Sequence, residues 1–130
     1  MHALQLTWHG LILLAVVGAC RSKGETPGVA PKADPNTPVL LEVENHYQGD
    51  VVIYLMRGNQ RDRLGMVTAL SKATYTFPYR RLGLTGNTRL LAYPIAGRSA
   101  YASDPLLVQP GQSLSWTLEG DLDRSSLAVW

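Results

Sequence analysis

Residues 51–67 read VVIYLMRGNQRDRLGMV, and this stretch decides the fold. Along 51–57 the odd-numbered aliphatic side chains face one way and the even-numbered side chains face the other, which is the two-residue period of a β-strand. Residues 58–59, glycine and asparagine, are typical of the two-residue turn of a β-hairpin. The stretch therefore predicts two antiparallel strands, 51–57 and 61–67, joined by a tight turn.

The same period recurs on both sides of this hairpin. The chain contains 12 Gly and 8 Pro, which favours frequent chain reversals over long helices. About seven or eight short strands predict an all-β fold, a small antiparallel β-sandwich, with a small β-barrel as the alternative. The further strands are predicted at 39–44, 72–77, 89–95, 101–108 with an interruption at Asp104 and Pro105, 114–118, and a last one from Leu127 that ends at Trp130.

The N-terminal part of the chain has the pattern of an export signal. Residues 10–20 read GLILLAVVGAC, an uncharged apolar run that is too short to span a bilayer and has the length of a signal-peptide core. Its last four residues resemble the lipobox of bacterial lipoproteins, in which an aliphatic residue and two small residues precede a cysteine. The resemblance covers residues 1–20 only, and it departs from the family in that no Lys or Arg precedes the apolar run.

This resemblance implies an address and a domain organisation. Lipid would be transferred to the thiol of Cys20, with cleavage before it, so that a signal peptide, 1–19, is lost and the protein stays at a membrane of the cell envelope. Arg21, in the place of an aspartate, favours the outer membrane in a Gram-negative host. An ordinary signal peptide, a short transmembrane anchor and an apolar core strand are the alternatives.

A tether is predicted between the lipid site and the folded domain. Residues 21–38 contain four prolines and two glycines and offer almost nothing to bury, which is typical of an extended linker. We therefore divide the mature chain into a lipidated Cys20 with its tether, 20–37, and a β-sandwich domain, 38–130.

Composition excludes several classes of function. The formal net charge is +2, from 12 basic and 10 acidic residues, so no strong field exists to attract nucleic acid. A single cysteine excludes an intramolecular disulfide and any site made of several thiolates. We expect no metal, no small-molecule cofactor and no nucleic-acid partner.

The catalytic inventory of the mature chain is small. His2 and His9 leave with the signal peptide, so a hydrolase would have to be built around His46. Glu42 and Glu44 share one face of a predicted strand, where a solvated polar stripe explains them as well as acid–base chemistry does. We therefore predict that the protein is not an enzyme.

The number and the grouping of the arginines are the most unusual local feature, since the chain contains nine arginines and three lysines. Guanidinium groups bind carboxylates and phosphates in a bidentate manner, so a group of them can form an anion or partner contact. Neutralisation by nearby carboxylates and protection of a strand edge are the alternatives. The candidate residues flank the predicted hairpin turn and follow a neighbouring strand: Arg57, Arg61, Arg63, Arg80 and Arg81.

Aromatic residues offer a second type of binding surface. Tyr47, Tyr79 and Tyr101 lie near predicted loops, where exposed rings could stack on sugars. The other tyrosines and Trp116 are better explained by the core.

The preferred hypothesis is a membrane-tethered, non-enzymatic interaction module that binds a protein partner in the envelope. A carbohydrate or peptidoglycan binding module and a hydrolase that uses His46 are the alternatives. The sandwich fold itself does not distinguish them, because one fold carries many functions.

Overall fold

The computed structural model describes residues 34–83, 85–97 and 99–130. The predicted signal peptide, Cys20 and most of the predicted tether lie outside the described residues. Two short 3-10 helices accompany the strands, at Tyr79–Leu82 and Leu122–Arg124. The strands are β1 Pro38–Asn45, β2 Val51–Arg57, β3 Gln60–Val67, β4 Lys72–Pro78, β5 Thr88–Pro94, β6 Tyr101–Ala102, β7 Ser113–Leu118 and β8 Ser126–Val129.

The strands form two four-stranded sheets, which confirms the all-β sandwich and not the barrel alternative. Sheet A has the order β4-β1-β7-β8, and sheet B has the order β3-β2-β5-β6. All pairs are antiparallel except β1 with β7, which run parallel. The alternation of apolar residues does not report strand direction, so the sequence could not predict this parallel pair.

The core lies between the sheets and is built from the predicted alternation. In β1 the odd-numbered residues Val39, Leu41 and Val43 are buried, and Glu42 between them is exposed. Trp116 and Phe77 are the largest fully buried side chains, at 1% exposure each. A single core of this kind requires every strand to keep its register, because a shift by one residue would turn the apolar side chains to solvent.

The hairpin of β2 and β3 contains the predicted turn. Gly58 has a φ of +57°, and only the two residues 58–59 separate the strands, which matches a turn with glycine at its first central position. A β-bulge interrupts the pairing between Ile53 and Tyr54. Such a bulge bends the edge strand and increases its twist.

The predicted strand 101–108 is much shorter in the structure. Only Tyr101–Ala102 is a strand, because the Leu90 N–H donates to the Ser103 Oγ at 2.9 Å instead of to its carbonyl, and Pro105 further on has no N–H to donate. The following chain still runs beside β5 through single hydrogen bonds. The N–H of Ser103 donates to the Leu90 carbonyl at 2.8 Å and that of Leu106 donates to the Thr88 carbonyl at 2.7 Å.

The start of the domain also differs from the prediction. Residues 34–37 were assigned to the tether, but they form a turn in which the Thr37 N–H donates to the Asp34 carbonyl at 3.0 Å. The 3-10 helix holds this turn, since the N–H of Tyr79 donates to the Thr37 carbonyl and that of Arg80 donates to the Pro35 carbonyl, both at 2.8 Å. The folded part therefore includes residues 34–37.

Candidate functional site

The pairing of β2 with β3 and with β5 shows which side chains share the outer face of sheet B. Residues directly opposite each other in a sheet share a face, and Ile53 and Leu55 point into the core, so their neighbours along β2 point outward. The outward partners form three rows across β3, β2 and β5: Arg61, Met56 and Arg89; Arg63, Tyr54 and Leu91; Met66, Val52 and Tyr93.

This face combines apolar and cationic side chains. Val52 and Leu91 are buried at its centre, while Met66 and Tyr93 are 44% and 45% exposed. Arg61 and Arg63 are exposed beside them. None of the nine side chains in the three rows is acidic, so the arginines of this face are not neutralised within it.

Arg89 is held more firmly than the two other arginines of this face. It is half-buried, and its Nη1 donates to the Ser103 carbonyl at 3.0 Å. One hydrogen bond leaves most of the guanidinium donors available, because arginine carries five. Arg89 can therefore bind an anion without leaving its place in the sheet.

The outer face of sheet A has a different character. Small polar side chains surround the two glutamates of β1, since Glu42 pairs with Thr74 and Ser115 in register. Glu44 pairs with Lys72 in register, and their side chains form an ion pair of 3.3 Å. A shallow cavity of about 300 Å³ lies here, but it contains no aromatic ring. The two outer faces therefore differ in both charge and apolar content.

The structure separates the five arginines that the sequence grouped together. Arg61 and Arg63 lie on the outer face of sheet B. Arg57 pairs with Gln60 at the end of the hairpin, where its Nη2 donates to the Gln60 Oε1 at 3.4 Å. Because Arg57 is an odd-numbered residue of β2, it lies on the core side of the sheet and not with the other two.

Arg80 and Arg81 belong to the 3-10 helix and have local partners. Arg81 Nε lies 3.3 Å from the Asp62 Oδ2 in a half-buried ion pair, and Arg80 donates to the side chain of Asn36. Arg81 therefore links the hairpin to the 3-10 helix, and Arg80 links the start of the domain to the same helix. Both arginines have a structural role.

The three candidate tyrosines also lie apart. Tyr79 Oη donates to the Val108 carbonyl at 3.2 Å, at the end of the sandwich where β1 begins. Tyr47 lies in the loop after β1, at the opposite end. Tyr101 packs on Trp116 with ring centroids 6.3 Å apart. No common stacking platform is formed by these three rings.

His46 lies between two carboxylates at the end of β1. Its Nε2 is 3.0 Å from the Glu44 Oε1, and its Nδ1 is 3.3 Å from the Glu119 Oε2. Glu44 in turn is paired with Lys72. The sequence did not predict Glu119 as a partner, because it lies 73 positions away and is brought close only by the parallel pairing of β1 with β7.

This arrangement favours the charged form of His46. The hydrogen bond with Glu44, and then that with Glu119, raises the pKa of His46 above its ordinary value of 6.5. The hydrogen bond with His46, and then that with Lys72, lowers the pKa of Glu44. A general base needs a neutral nitrogen, but here both ring nitrogens face carboxylates, so the geometry is that of a surface ion-pair network.

Within 34–83, 85–97 and 99–130, no group of three or more His, Cys, Asp or Glu side chains is arranged to hold a metal ion. In the same ranges, no helix has the length and apolar character needed to cross a membrane.

Comparison with known proteins adds little. No protein-family model matches the chain. No curated protein matches it either. An NMR structure of a protein from Eubacterium rectale aligns with a TM-score of 0.43 and 10% sequence identity, over 76% of this chain and 92% of the other.

Sequence reasoning missed most of the outer face of sheet B. The signal available in the sequence was the two-residue period of the predicted strand 89–95, which places Arg89 and Tyr93 on the same side. Which strand lies beside β2 is a long-range property, however, so the sequence could not show that these residues join Arg61 and Arg63.

Proposed function

We propose that this protein is a lipid-anchored, non-enzymatic interaction module of the cell envelope that binds a protein partner through the outer face of sheet B. The observation that supports the proposal is the composition of this face. Arginine, tyrosine and methionine are enriched in the cores of protein interfaces, whereas acidic residues and lysine are depleted there. The face carries three arginines, two tyrosines and two methionines and none of the depleted types.

The arrangement of the rows indicates the chemistry of the partner. Tyr93 and Met66 are the exposed apolar groups, and a partner would cover them with an apolar patch of its own. Arg61 and Arg63 lie along the β3 edge of this patch, so carboxylates of the partner would meet them there in bidentate pairs. Unneutralised arginines also accelerate the encounter with an acidic surface.

The proposed anchor explains how such a module would be used. Lipid on Cys20 would confine the domain to the membrane surface, and the residues between Cys20 and the ordered turn at 34–37 would let it reach a neighbour. Thirteen extended residues span roughly 40 Å at about 3 Å each. Confinement raises the effective concentration of the partner, so a modest affinity suffices.

A matched pair of charge reversals tests this proposal. The full chain, the double variant Arg61→Glu/Arg63→Glu and the control Lys72→Glu on sheet A are each used to capture proteins from detergent-solubilised envelopes of the native host. We expect one discrete partner to be retained by the wild type and by Lys72→Glu, and to be lost with the double variant. Retention by all three chains, by none, or on purified peptidoglycan instead would contradict the proposal.

A further inference from the structure

Three of the four sheet edges carry features that prevent pairing with another strand. The edge strand β3 has a bulge and a run of charged residues, 61–63. The edge strand β4 begins with Lys72 and ends with Pro78. The edge strand β6 has only two residues. Bulges, charges, prolines and short strands are the usual ways in which edges are protected.

The fourth edge, β8, has four residues but carries none of the other features. Its sequence is SLAV, followed by Trp130, and it contains no charge, no proline and no bulge. Trp130 and Ser113 exchange two backbone hydrogen bonds, of 3.0 and 2.8 Å. Because such bonds alternate along an antiparallel pair, the N–H and C=O groups of Leu127 and Val129 point away from β7. No turn or loop bond among the described residues covers them.

A groove with both apolar and polar lining residues runs beside this edge. It has a volume of about 370 Å³ and lies between β8 and the chain that follows β6. Tyr101, Trp116 and Leu107 are among the residues that line it, and Leu107 has 80% of its surface exposed. Asp104 is the one charged residue among those that line it.

We propose that an extended segment of another protein adds to sheet A beside β8 and places alternate side chains in this groove. The outward groups of Leu127 and Val129 would supply the main-chain hydrogen bonds, and the groove would supply side-chain specificity, as in other cases of β-strand addition. The segment carries branched apolar residues at alternate positions and no acidic residue near Asp104.

A second copy of this chain fits the edge less well. Leu127 of its own β8 already packs against its own core, so it is not available to fill the groove of a partner copy. Pairing of two four-residue edges also buries far less than the roughly 800 Å² per partner of a stable interface. An extended segment whose side chains enter the groove buries apolar area there in addition to its contact along the edge.

This surface is independent of the outer face of sheet B. No residue that lines the groove belongs to the three rows on that face, and the arginines varied above lie on β3, so loss of binding at one surface can be distinguished from loss at the other. The test therefore uses a probe that carries no carboxylate and cannot compete for the arginines: the peptide acetyl-Lys-Thr-Val-Thr-Val-Thr-Lys-amide.

The isotope-labelled full chain in detergent micelles is titrated with this peptide and followed by NMR. We expect the amides of Leu127 and Val129 to shift and to become protected from exchange. Val129→Pro removes one outward N–H and is expected to weaken binding about tenfold. Val129→Thr keeps that N–H and the branched shape, and should bind as the wild type does.

A second variant keeps the proposal testable if proline unfolds β8. Leu107→Asp changes only the exposed rim and is likewise expected to weaken peptide binding. Equal binding by Leu107→Asp and the wild type, shifts confined to sheet B, or no peptide binding would overturn the proposal. Shifts of the Leu127 and Val129 amide signals that change with protein concentration in the absence of peptide would also overturn it, since they would show pairing between copies.

Discussion

His46 links pH to stability through its two carboxylate partners. Its pKa in the folded chain lies above its ordinary value of 6.5, so its contribution is complete below that pH and is lost as the pH rises through the folded-state pKa. The pKa of Glu44 lies below its ordinary value of 4.5, so its contribution is complete above that pH and is lost as the pH falls through the folded-state pKa. Both contributions are therefore complete between pH 4.5 and 6.5.

The variant His46→Gln should remove the part of this pH dependence that comes from His46, while the ion pair of Glu44 with Lys72 remains. We expect the difference in Tm between the wild type and the variant to be largest between pH 4.5 and 6.5 and to decline in more alkaline buffer. Because the side chains are exposed, the difference should also shrink when salt is raised. Thermal unfolding across the pH range measures it, and a difference that stays constant with pH would refute the assignment.

Gly65 and Tyr75 make a close contact between β3 and β4. A Cβ at position 65 would overlap the ring of Tyr75, so Gly65→Ala should destabilise the domain by about 1–3 kcal/mol.

The Tyr75 hydroxyl is buried without a hydrogen-bond partner among the described residues, and this burial raises its pKa. Tyr75→Phe should therefore stabilise by about 1 kcal/mol. Denaturant unfolding tests both, and the opposite sign for either variant would refute the packing described.

At the scale of the elements, Asn45 ties the end of β1 to two loops. It is fully buried, and its Nδ2 donates to the carbonyls of Gly49 at 3.0 Å and Thr68 at 3.1 Å. Its Oδ1 accepts from the Tyr47 N–H at 2.9 Å. The hydrogen bonds of the Asn45 side chain thus hold two loops in place, the one between β1 and β2 and the one between β3 and β4.

Replacing Asn45 with alanine removes three part-buried hydrogen bonds and leaves a small cavity at a fully buried position. We expect Asn45→Ala to lower the free energy of unfolding by roughly 2–4 kcal/mol. Gln48→Ala in the same loop is the control, since Gln48 is exposed and should cost almost nothing. Equal losses for both variants would show that the loop tolerates the missing bonds.

The elements also show what a sequence can and cannot predict here. The hairpin of β2 and β3 and the inward side of β1 and β7 follow from a local two-residue period, and these predictions are confirmed. The parallel pair of β1 and β7 depends on contacts between distant residues, which the period does not report. For the same reason Arg61 and Arg63 could be singled out, whereas Arg89 joined them only in the folded sheet.

At the scale of the whole molecule, the small net charge conceals a strong asymmetry. The formal charge is +2, yet the rows on the outer face of sheet B contain three arginines and no carboxylate. The outer face of sheet A instead presents Glu42 and Glu44 with Lys72 as the cation. A domain with this distribution can orient an acidic partner towards one face at moderate salt.

The lipid anchor is a separate prediction for the whole chain. Cys20→Ser should leave the protein unlipidated, because the thiol is the group that the resemblance to lipoproteins assigns to the lipid. We expect the wild type in the detergent phase on phase separation and the variant in the aqueous phase or uncleaved. A native product with an intact Met1 or an unmodified Cys20 thiol by mass spectrometry would refute it.

Site-specific photo-crosslinking in the native host tests the central claim most directly. A photoreactive amino acid is placed at Tyr93 on sheet B or, as the control, at Thr74 on sheet A, in the full chain. We predict one crosslinked protein from position 93, none from position 74, and loss of that product when Arg61→Glu/Arg63→Glu is added. Equal crosslinking from both positions, or none from position 93, would contradict a partner on the outer face of sheet B.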